Sequence, residues 1–297
     1  MRRLFVLIAF YVCFSFQLVA NPVFTWDVAQ DAHPSALHCY VEGTLNDGAV
    51  WYAREVREED TLFYQQLFAD ADIMKFFGLG KAVSYEKSEH YLKNIWMPSF
   101  QNGEPIGAMT IFLKETNQFV GFCCVSSDGP GYAGVGYAAH KKFWGKGVAT
   151  SISKVFFSIW AKEVYEIGHG LRDNISSSIV EKFKCFGGAP LNAFVATARP
   201  SNIASCKLML KSGFKSLPLP QENIDIDLSD EAFENSEQIE QYFLSHYFDE
   251  NADQRLDKDV LYRVIDSEGN ERTLSFVSKY NALRYHFVLD IASKVTE

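Results

Sequence analysis

The 297-residue sequence has no paired cysteine spacing, no surplus of positive charge, no internal repeat and no low-complexity tract. Beyond its first twenty residues it also has no long apolar run. Each absence excludes a class of protein. The six cysteines, Cys13, Cys39, Cys123, Cys124, Cys185 and Cys206, stand too irregularly for a disulfide framework or a zinc site. The five after Cys13, which stands in the N-terminal apolar stretch, read as buried free thiols, with Cys123 and Cys124 on opposite faces of a strand. A formal net charge of −9 argues against a nucleic-acid surface, where a basic footprint is usual, and suits a cationic amine ligand. Without a further apolar stretch of ~20 residues, no membrane span is expected after the N-terminal segment.

What is present is an apolar, aromatic-rich chain. Hydrophobic residues make up 47% of it, enough for one large core or for one domain with additions. The first residues, MRRLFVLIAFYVCFSFQLVA, run from Arg2 and Arg3 through an apolar stretch to Leu18, Val19 and Ala20 before Asn21. A basic start, a short apolar run and small residues form a secretory signal pattern. The expected organisation is a leader over 1–20, a linker over 21–50, a domain over 51–217, and an extension over 218–297 that completes or caps it. Cleavage of the leader implies a secreted or periplasmic protein; otherwise the chain is cytoplasmic.

Periodicity orders the rest. Asp60 reads as the N-cap of a helix with Leu62, Phe63, Leu67 and Phe68 on one stripe. A second helix is expected over 84–96, with Tyr91, Leu92, Ile95 and Trp96 inward. AMTIFLKE and FVGFCCV read as a hairpin, SSDGPGYAG as a turn cluster and VGYAAH as a strand. The strongest amphipathic helix follows Gly147, where Val148, Ile152, Val155, Phe156, Ile159 and Trp160 recur at spacings of three and four. Residues 166–190 read as an insertion with a short helix near 179–186. LNAFVATA then reads as a strand, and 202–211 as a helix closed by Gly213. In the tail, an acidic helix (DLSDEAFENSEQIEQYFLSHYF), two strands (VLYRVID, RTLSFVS) and a last helix (YNALRYHFVLDIASKV) are expected.

The stretch HKKFWGKGVAT joins a strand to the strongest helix. A helix start presents unpaired backbone N–H groups and partial positive charge, and glycines let an anion approach. Lys141, Lys142 and Lys146 add charge. The competing reading is a plain strand-to-helix turn with solvated lysines. Two nucleotide motifs fail. Gly134-x-Gly136-x-x-Ala139 lacks the helix start of a dinucleotide fingerprint. Gly145-Lys146 lacks a hydroxyl residue at Gly147 and a glycine at His140, so no magnesium-holding phosphate loop is formed.

What remains, Lys142-x-x-Gly145-x-Gly147 after a strand and before a helix, resembles the pyrophosphate loop of the GNAT acetyltransferases. ARPSNIASCKLMLKSGF supports the resemblance, with Asn202, Ser205, Lys211, Gly213 and Phe214 in the family's places. REVREEDTLFYQQLFADADIMKFF and GYAAHKKFWGKGVAT resemble the RimJ/RimL-like branch. The resemblance covers 51–217. It implies an α/β (α+β) GNAT fold: a mixed, mostly antiparallel twisted sheet flanked by helices, here with an N-terminal signal-like segment and a C-terminal extension.

The resemblance further implies acetyl transfer from acetyl-CoA, without a metal, to a protein or small-molecule amine by direct attack. Backbone amides of Phe143, Trp144, Gly145, Lys146, Gly147, Val148, Ala149 and Thr150, beside Lys142, would cradle the pyrophosphate. The edge of Tyr137, Ala138 and Ala139, together with Asn202, would hold the pantetheine arm, with an amide near Ala138 facing the thioester carbonyl. Ser205 would steady or protonate the leaving thiolate, and His140 is a candidate base. Glu86, Glu89 and His90 are further candidates near an acceptor, against the reading of a solvated helix face. Three departures stand out: Gly134 replaces a carboxylate, Met209 stands near a usual tyrosine, and Ser151 replaces a glutamate. These motivate an alternative, a non-catalytic CoA-binding or interaction module on the same scaffold. A homodimer is compatible with the sequence; nucleic acid is not expected as a partner.

Overall fold

The computed structural model describes residues 23–28, 36–218, 225–227, 261–265, 269–277 and 282–295, with positions 238 and 241. The expected leader over 1–20 and most of the expected acidic tail helix lie outside these residues.

Twelve strands among the described residues form one mixed sheet. β1 (Val23–Val28), β2 (Leu37–Thr44), β3 (Val50–Glu55), β4 (Gly107–Leu113), β5 (Gln118–Ser127) and β6 (Tyr132–Ala139) follow one another as an antiparallel meander. The expected linker over 21–50 is thus corrected: it carries β1 and β2. In β2, buried and part-exposed residues alternate, with Leu37, Cys39 and Val41 in the core. The Asn, Asp and Gly residues that suggest a linker are concentrated instead in the turn at 45–49.

Residues 51–55 pair with β4, and helices α1 (Thr61–Ala69), α2 (Ala71–Met74), α3 (Tyr85–Tyr91) and α4 (Met97–Gln101) cover one sheet face. Their aromatic core holds Tyr64, Phe68 and Phe122. Two expectations change here. Asp60 makes no side-chain cap; it is fully buried and receives two bonds from Arg54, each 2.8 Å, and one from Thr110 at 2.8 Å. Ile95 is exposed because a π-helical turn at Leu92–Trp96 adds a residue and rotates the stripe, leaving Leu92 buried.

The other face is packed by α5 (Val148–Val155), a π turn (Phe156–Trp160) and α6 (Ala161–Gly168). The π turn brings Phe157 into the core beside Phe156 and Trp160, which strict helical spacing leaves outside. Ser151 ties α5 to the sheet: its hydroxyl donates to Thr44 O at 2.8 Å and accepts from Trp51 Nε1 at 3.0 Å.

After α7 (Ser177–Lys182) come β7 (Ala193–Ala198) and α8 (Ile203–Lys211), whose N-cap Asn202 accepts from Ser205 N. Past β8 (Lys215–Ser216), the tail returns to the sheet as β9 (Asp225–Asp227), β10 (Tyr262–Ile265), β11 (Glu271–Val277) and β12 (Ala282–Asp290). β12 pairs antiparallel with β7 over six residue pairs, from Tyr285↔Ala198 to Asp290↔Ala193. The last expected helix is therefore mainly a strand. Leu283, Phe287 and Leu289 alternate into the core, a period-two pattern that the run ALRYHFVLD also permits.

The five cysteines among the described residues are free thiols, and burial raises the pKa of each. No helix among the described residues is long and apolar enough to cross a membrane.

Candidate functional site

β6 and β7 are parallel neighbours for only three residue pairs, the last being Gly134↔Val195. Beyond that point β6 continues with β5 on one side and β7 continues with β12. The two strands part, and a cleft of about 1230 Å³ opens between them. Its walls come from β6, β7, β12, α8, the start of α5 and the loop after α2.

Strand geometry decides which backbone groups face this cleft. His140 N donates to Val120 O at 2.8 Å, and antiparallel pairs alternate between bonded and non-bonded. In the β5–β6 register, Ala138 and Gly136 therefore bond to Phe122 and Cys124, whereas Tyr137 and Ala139 turn their N–H and C=O away from β5. The expected donor near Ala138 is narrowed: the Ala138 amide itself points into the sheet, and the neighbours Tyr137 and Ala139 present the open edge. The Ala139 carbonyl accepts a 2.8 Å bond from Trp144 Nε1.

At the cleft's other end, Gly145 and Gly147 have φ of 71° and 73°, the left-handed region where side chains are strained. Nothing lies within 4 Å of a Cβ placed at Gly145, whereas one at Gly147 meets Asn46 Nδ2 at 2.9 Å. Gly147 is the N-cap of α5. Trp144, Gly145, Gly147, Val148, Ala149 and Thr150 line the cleft, with Phe143 buried beneath them. The open left-handed Gly145, a helix start at Gly147 and a free strand edge fit a long, phosphate-bearing thioester such as acetyl-CoA.

The expected residues do not all converge. Lys142 and Lys146 are exposed beside the loop and outside the cleft lining. Lys141 is held by Asp70 at 2.8 Å and by Asp72, which offsets its charge locally. His140 is turned to its own chain, its ring nitrogen receiving Lys142 N at 3.4 Å, and it lies outside the lining. Lys211, exposed at the far end of α8, is also outside. On α3 the cleft is met by Lys87 and Tyr91, whereas Glu89 pairs with Lys93 at 3.0 Å and His90 bonds Asn94 at 3.1 Å. Periodicity placed these side chains on a helix without fixing which face the cleft takes.

Asn202, Ser205 and Tyr137 do meet. Asn202 Oδ1 accepts from Ser205 N at 3.2 Å, and Ser205 Oγ lies 2.8 Å from Tyr137 Oη. Burial, partly opposed by the Ser205 bond, pushes the Tyr137 phenol up to about 12, so it stays protonated at neutral pH.

No local pattern signals the opposite wall. Arg284, buried on β12, donates to Gly78 O at 3.0 Å, and His286 bonds Ser275 at 2.8 Å. Phe77, Cys124 and Asp128 also line the cleft. These residues come from four separate elements, and only the closed sheet assembles them. No group of side chains that could hold a metal ion occurs among the described residues.

A family model described as "Acetyltransferase (GNAT) domain" matches residues 52–215. No curated protein sequence matches the chain. Among solved structures, it is similar to a GNAT-family acetyltransferase from Bacillus anthracis at 13% identity, over 82% of this chain and 95% of that chain, with a TM-score of 0.45. It is similar to Mycobacterium smegmatis RimJ in complex with CoA-disulfide at 14% identity, over 84% and 85%, TM-score 0.45. RimL, a ribosomal L7/L12 alpha-N-protein acetyltransferase in complex with coenzyme A, matches at 17% identity, over 57% and 81%, TM-score 0.42.

Proposed function

The chain belongs to the GNAT acetyltransferase family, and from that premise we propose that it transfers an acetyl group from acetyl-CoA to an amine by direct attack. The observation that carries this reading is the parting of β6 from β7, which frees the Tyr137 and Ala139 edge in line with the Gly145–Gly147 helix start. The motif GYAAHKKFWGKGVAT favours the RimJ/RimL-like branch within the family.

Bound acetyl-CoA supplies a thioester carbonyl open to attack. The chain's own residues do the rest. Amides from Gly145 to Thr150 hold the pyrophosphate, helped by the α5 start, whereas the expected Phe143 and Trp144 amides are already bonded to His140 O at 2.9 Å and Lys141 O at 3.0 Å. The free edge of Tyr137 and Ala139 pairs with the pantetheine arm as an added strand does, with Asn202 opposite. One of those two N–H groups, rather than that of Ala138, donates to the carbonyl as negative charge develops. Ser205, bonded to the protonated Tyr137, delivers a proton to the departing sulfur. Alignment of the two substrates supplies much of the rate.

Calorimetry with acetyl-CoA, followed by free-thiol release with N-terminal peptides, lysine peptides and polyamines, tests the reading. Uptake with thiol release supports it, and absence of uptake sinks it. Uptake without turnover on any amine favours the non-catalytic alternative. A cleaved leader at Ala20–Asn21 would place this reaction outside the cytoplasm, and N-terminal sequencing of the mature protein decides that point.

A further inference from the structure

Attack by an amine on a thioester needs a group to take the amine's proton; neither His140 nor the α3 carboxylates reach the cleft, and the His286 ring on the far wall is engaged with Ser275 Oγ at 2.8 Å. The two faces of β6 differ in what they offer. Successive side chains alternate between faces, so Tyr137 shares the Ser205 side with Val135, while positions 134, 136 and 138 look the other way. On that second face, Phe77 lies 3.4 Å from where a Gly136 Cβ would stand. Next to it, the empty position above Gly134 is filled from the adjacent turn. Ser126 Oγ is 2.9 Å, and the Asp128 carboxyl carbon 3.9 Å, from where a Gly134 Cβ would stand.

Asp128 stands out among the carboxylates. Two acidic residues line the cleft among the described residues, Asp72 and Asp128. Asp72 is paired with Lys141; among the described residues no ion pair engages Asp128. Its turn is held in place by main-chain bonds: Asp128 N to Tyr132 O at 2.9 Å, Gly131 N to Phe186 O at 2.9 Å, and Asn192 N to Gly131 O at 2.8 Å. The insertion over 166–190 thus braces the turn that carries the carboxylate.

We propose that Asp128 is the catalytic carboxylate that receives the amine's proton, from the face of β6 opposite the Tyr137–Ser205 pair. The proposal rests on the transferase reading above. In the step, the amine nitrogen forms a bond to the acetyl carbonyl carbon and the carbon–sulfur bond breaks. The nitrogen's proton passes to the Asp128 carboxylate. The departing sulfur takes a proton from Ser205, which Tyr137 replenishes. The step leaves Asp128 protonated and Tyr137 as phenolate; Asp128 then gives its proton to solvent and Tyr137 regains one from solvent, so the sum is amine plus thioester to amide plus thiol. The same carboxylate attracts acceptors that arrive as ammonium ions, which lose one proton to solvent before attack.

The test compares the full chain with its D128N variant, using acetyl-CoA and a polyamine. Asp128 is exposed on a turn, so the substitution leaves the core untouched. Expected are a kcat lowered about 100-fold, unchanged acetyl-CoA affinity by calorimetry, and loss of the acid limb in the pH profile of kcat/KM. D128N turnover equal to wild type, with the same pH profile, overturns the assignment. Loss of acetyl-CoA affinity in D128N also overturns it, because the residue would then act through the fold. Absence of acetyl-CoA uptake by the wild-type chain overturns the transferase reading itself, and this assignment falls with it.

Discussion

The phenol oxygen of Tyr137 lies 2.8 Å from the hydroxyl oxygen of Ser205 and joins strand β6 to helix α8 at the inner end of the cleft. The two residues are 68 positions apart, and only the strand's alternation and the first turn of the helix bring them together. Their bond holds one transferable proton between two part-buried oxygens on the cleft wall, and consequences for both rate and pH follow.

Substitutions Y137F and S205A should each lower kcat by about 10–100-fold, because general-acid groups supply roughly that much or more. The double variant should be little worse than either single one, since the two act as a unit. Acetyl-CoA affinity should stay near wild type in Y137F, whose backbone edge is intact. The pH dependence has a definite sign. The folded-state pKa of Tyr137 is raised by burial from 10.0 to about 12, so the folded state keeps its proton longer than the unfolded chain. Its contribution to stability is fully present below pH 10 and is lost as pH rises toward 12. Denaturant titrations over this range should show wild type losing stability relative to Y137F.

The two loop glycines should separate binding from folding. G145A places a methyl in open space, so its cost to the fold is the left-handed strain of ~1–2 kcal/mol. The methyl projects where an anion must approach, so acetyl-CoA affinity should fall about tenfold or more by calorimetry, a loss of roughly 1.4 kcal/mol. G147A carries the same strain and also meets Asn46 Nδ2 at 2.9 Å. Its melting temperature should therefore drop further than that of G145A. Equal affinity for acetyl-CoA in wild type and G145A would contradict the assigned anion site.

These two cases mark what was readable in the sequence. The loop was legible because glycine spacing, strand and helix are all local, and the same holds for Asn202, Gly213 and the 107–127 hairpin. Asp128 was visible only as part of a turn; that it returns over Gly134 depends on the β5–β6 register. The tail strand β12 was hidden because ALRYHFVLD satisfies helical and strand periods alike, and pairing with β7 decided between them. Asp60 satisfied an N-cap rule locally, yet tertiary partners Arg54 and Thr110 claimed its carboxylate. Two π turns shifted the faces of otherwise well-read helices, and periodicity carries no signal for an inserted residue.

The Asp60 network should be among the most sensitive points of the fold. Asp60 accepts from both terminal nitrogens of Arg54, from Arg57 N at 3.0 Å and from the Thr110 hydroxyl, with its side chain fully buried. D60A takes from Arg54 its bidentate carboxylate, leaving it Glu55 O at 2.9 Å and Glu59 at 3.9 Å, and takes the acceptor from Arg57 N, while Thr110 keeps its 3.1 Å bond to Tyr64. Removal of one partner from such a pair costs about 3–5 kcal/mol. Urea titration should show that loss with little change in m-value. A loss below about 1 kcal/mol would mean that water replaces the carboxylate, as it does for surface pairs.

Truncation tests where the folded unit ends. The family match stops at residue 215, and the expected boundary falls at 217. A chain ending there keeps the glycine loop, Tyr137, Ser205 and Asp128. It loses β12, which pairs with β7 through Tyr285↔Ala198 to Asp290↔Ala193 and contributes Leu283, Phe287 and Leu289 to the core. β7 would then be an apolar edge strand with unpaired N–H and C=O groups, a template for association with other chains. It also forms one wall of the cleft, so its displacement would close or widen the cofactor site. The truncated chain should therefore be recovered as aggregate, or as a soluble species without acetyl-CoA uptake. A monodisperse product with wild-type affinity would show that β7 holds its place without β12, and that the tail strands are dispensable to the site.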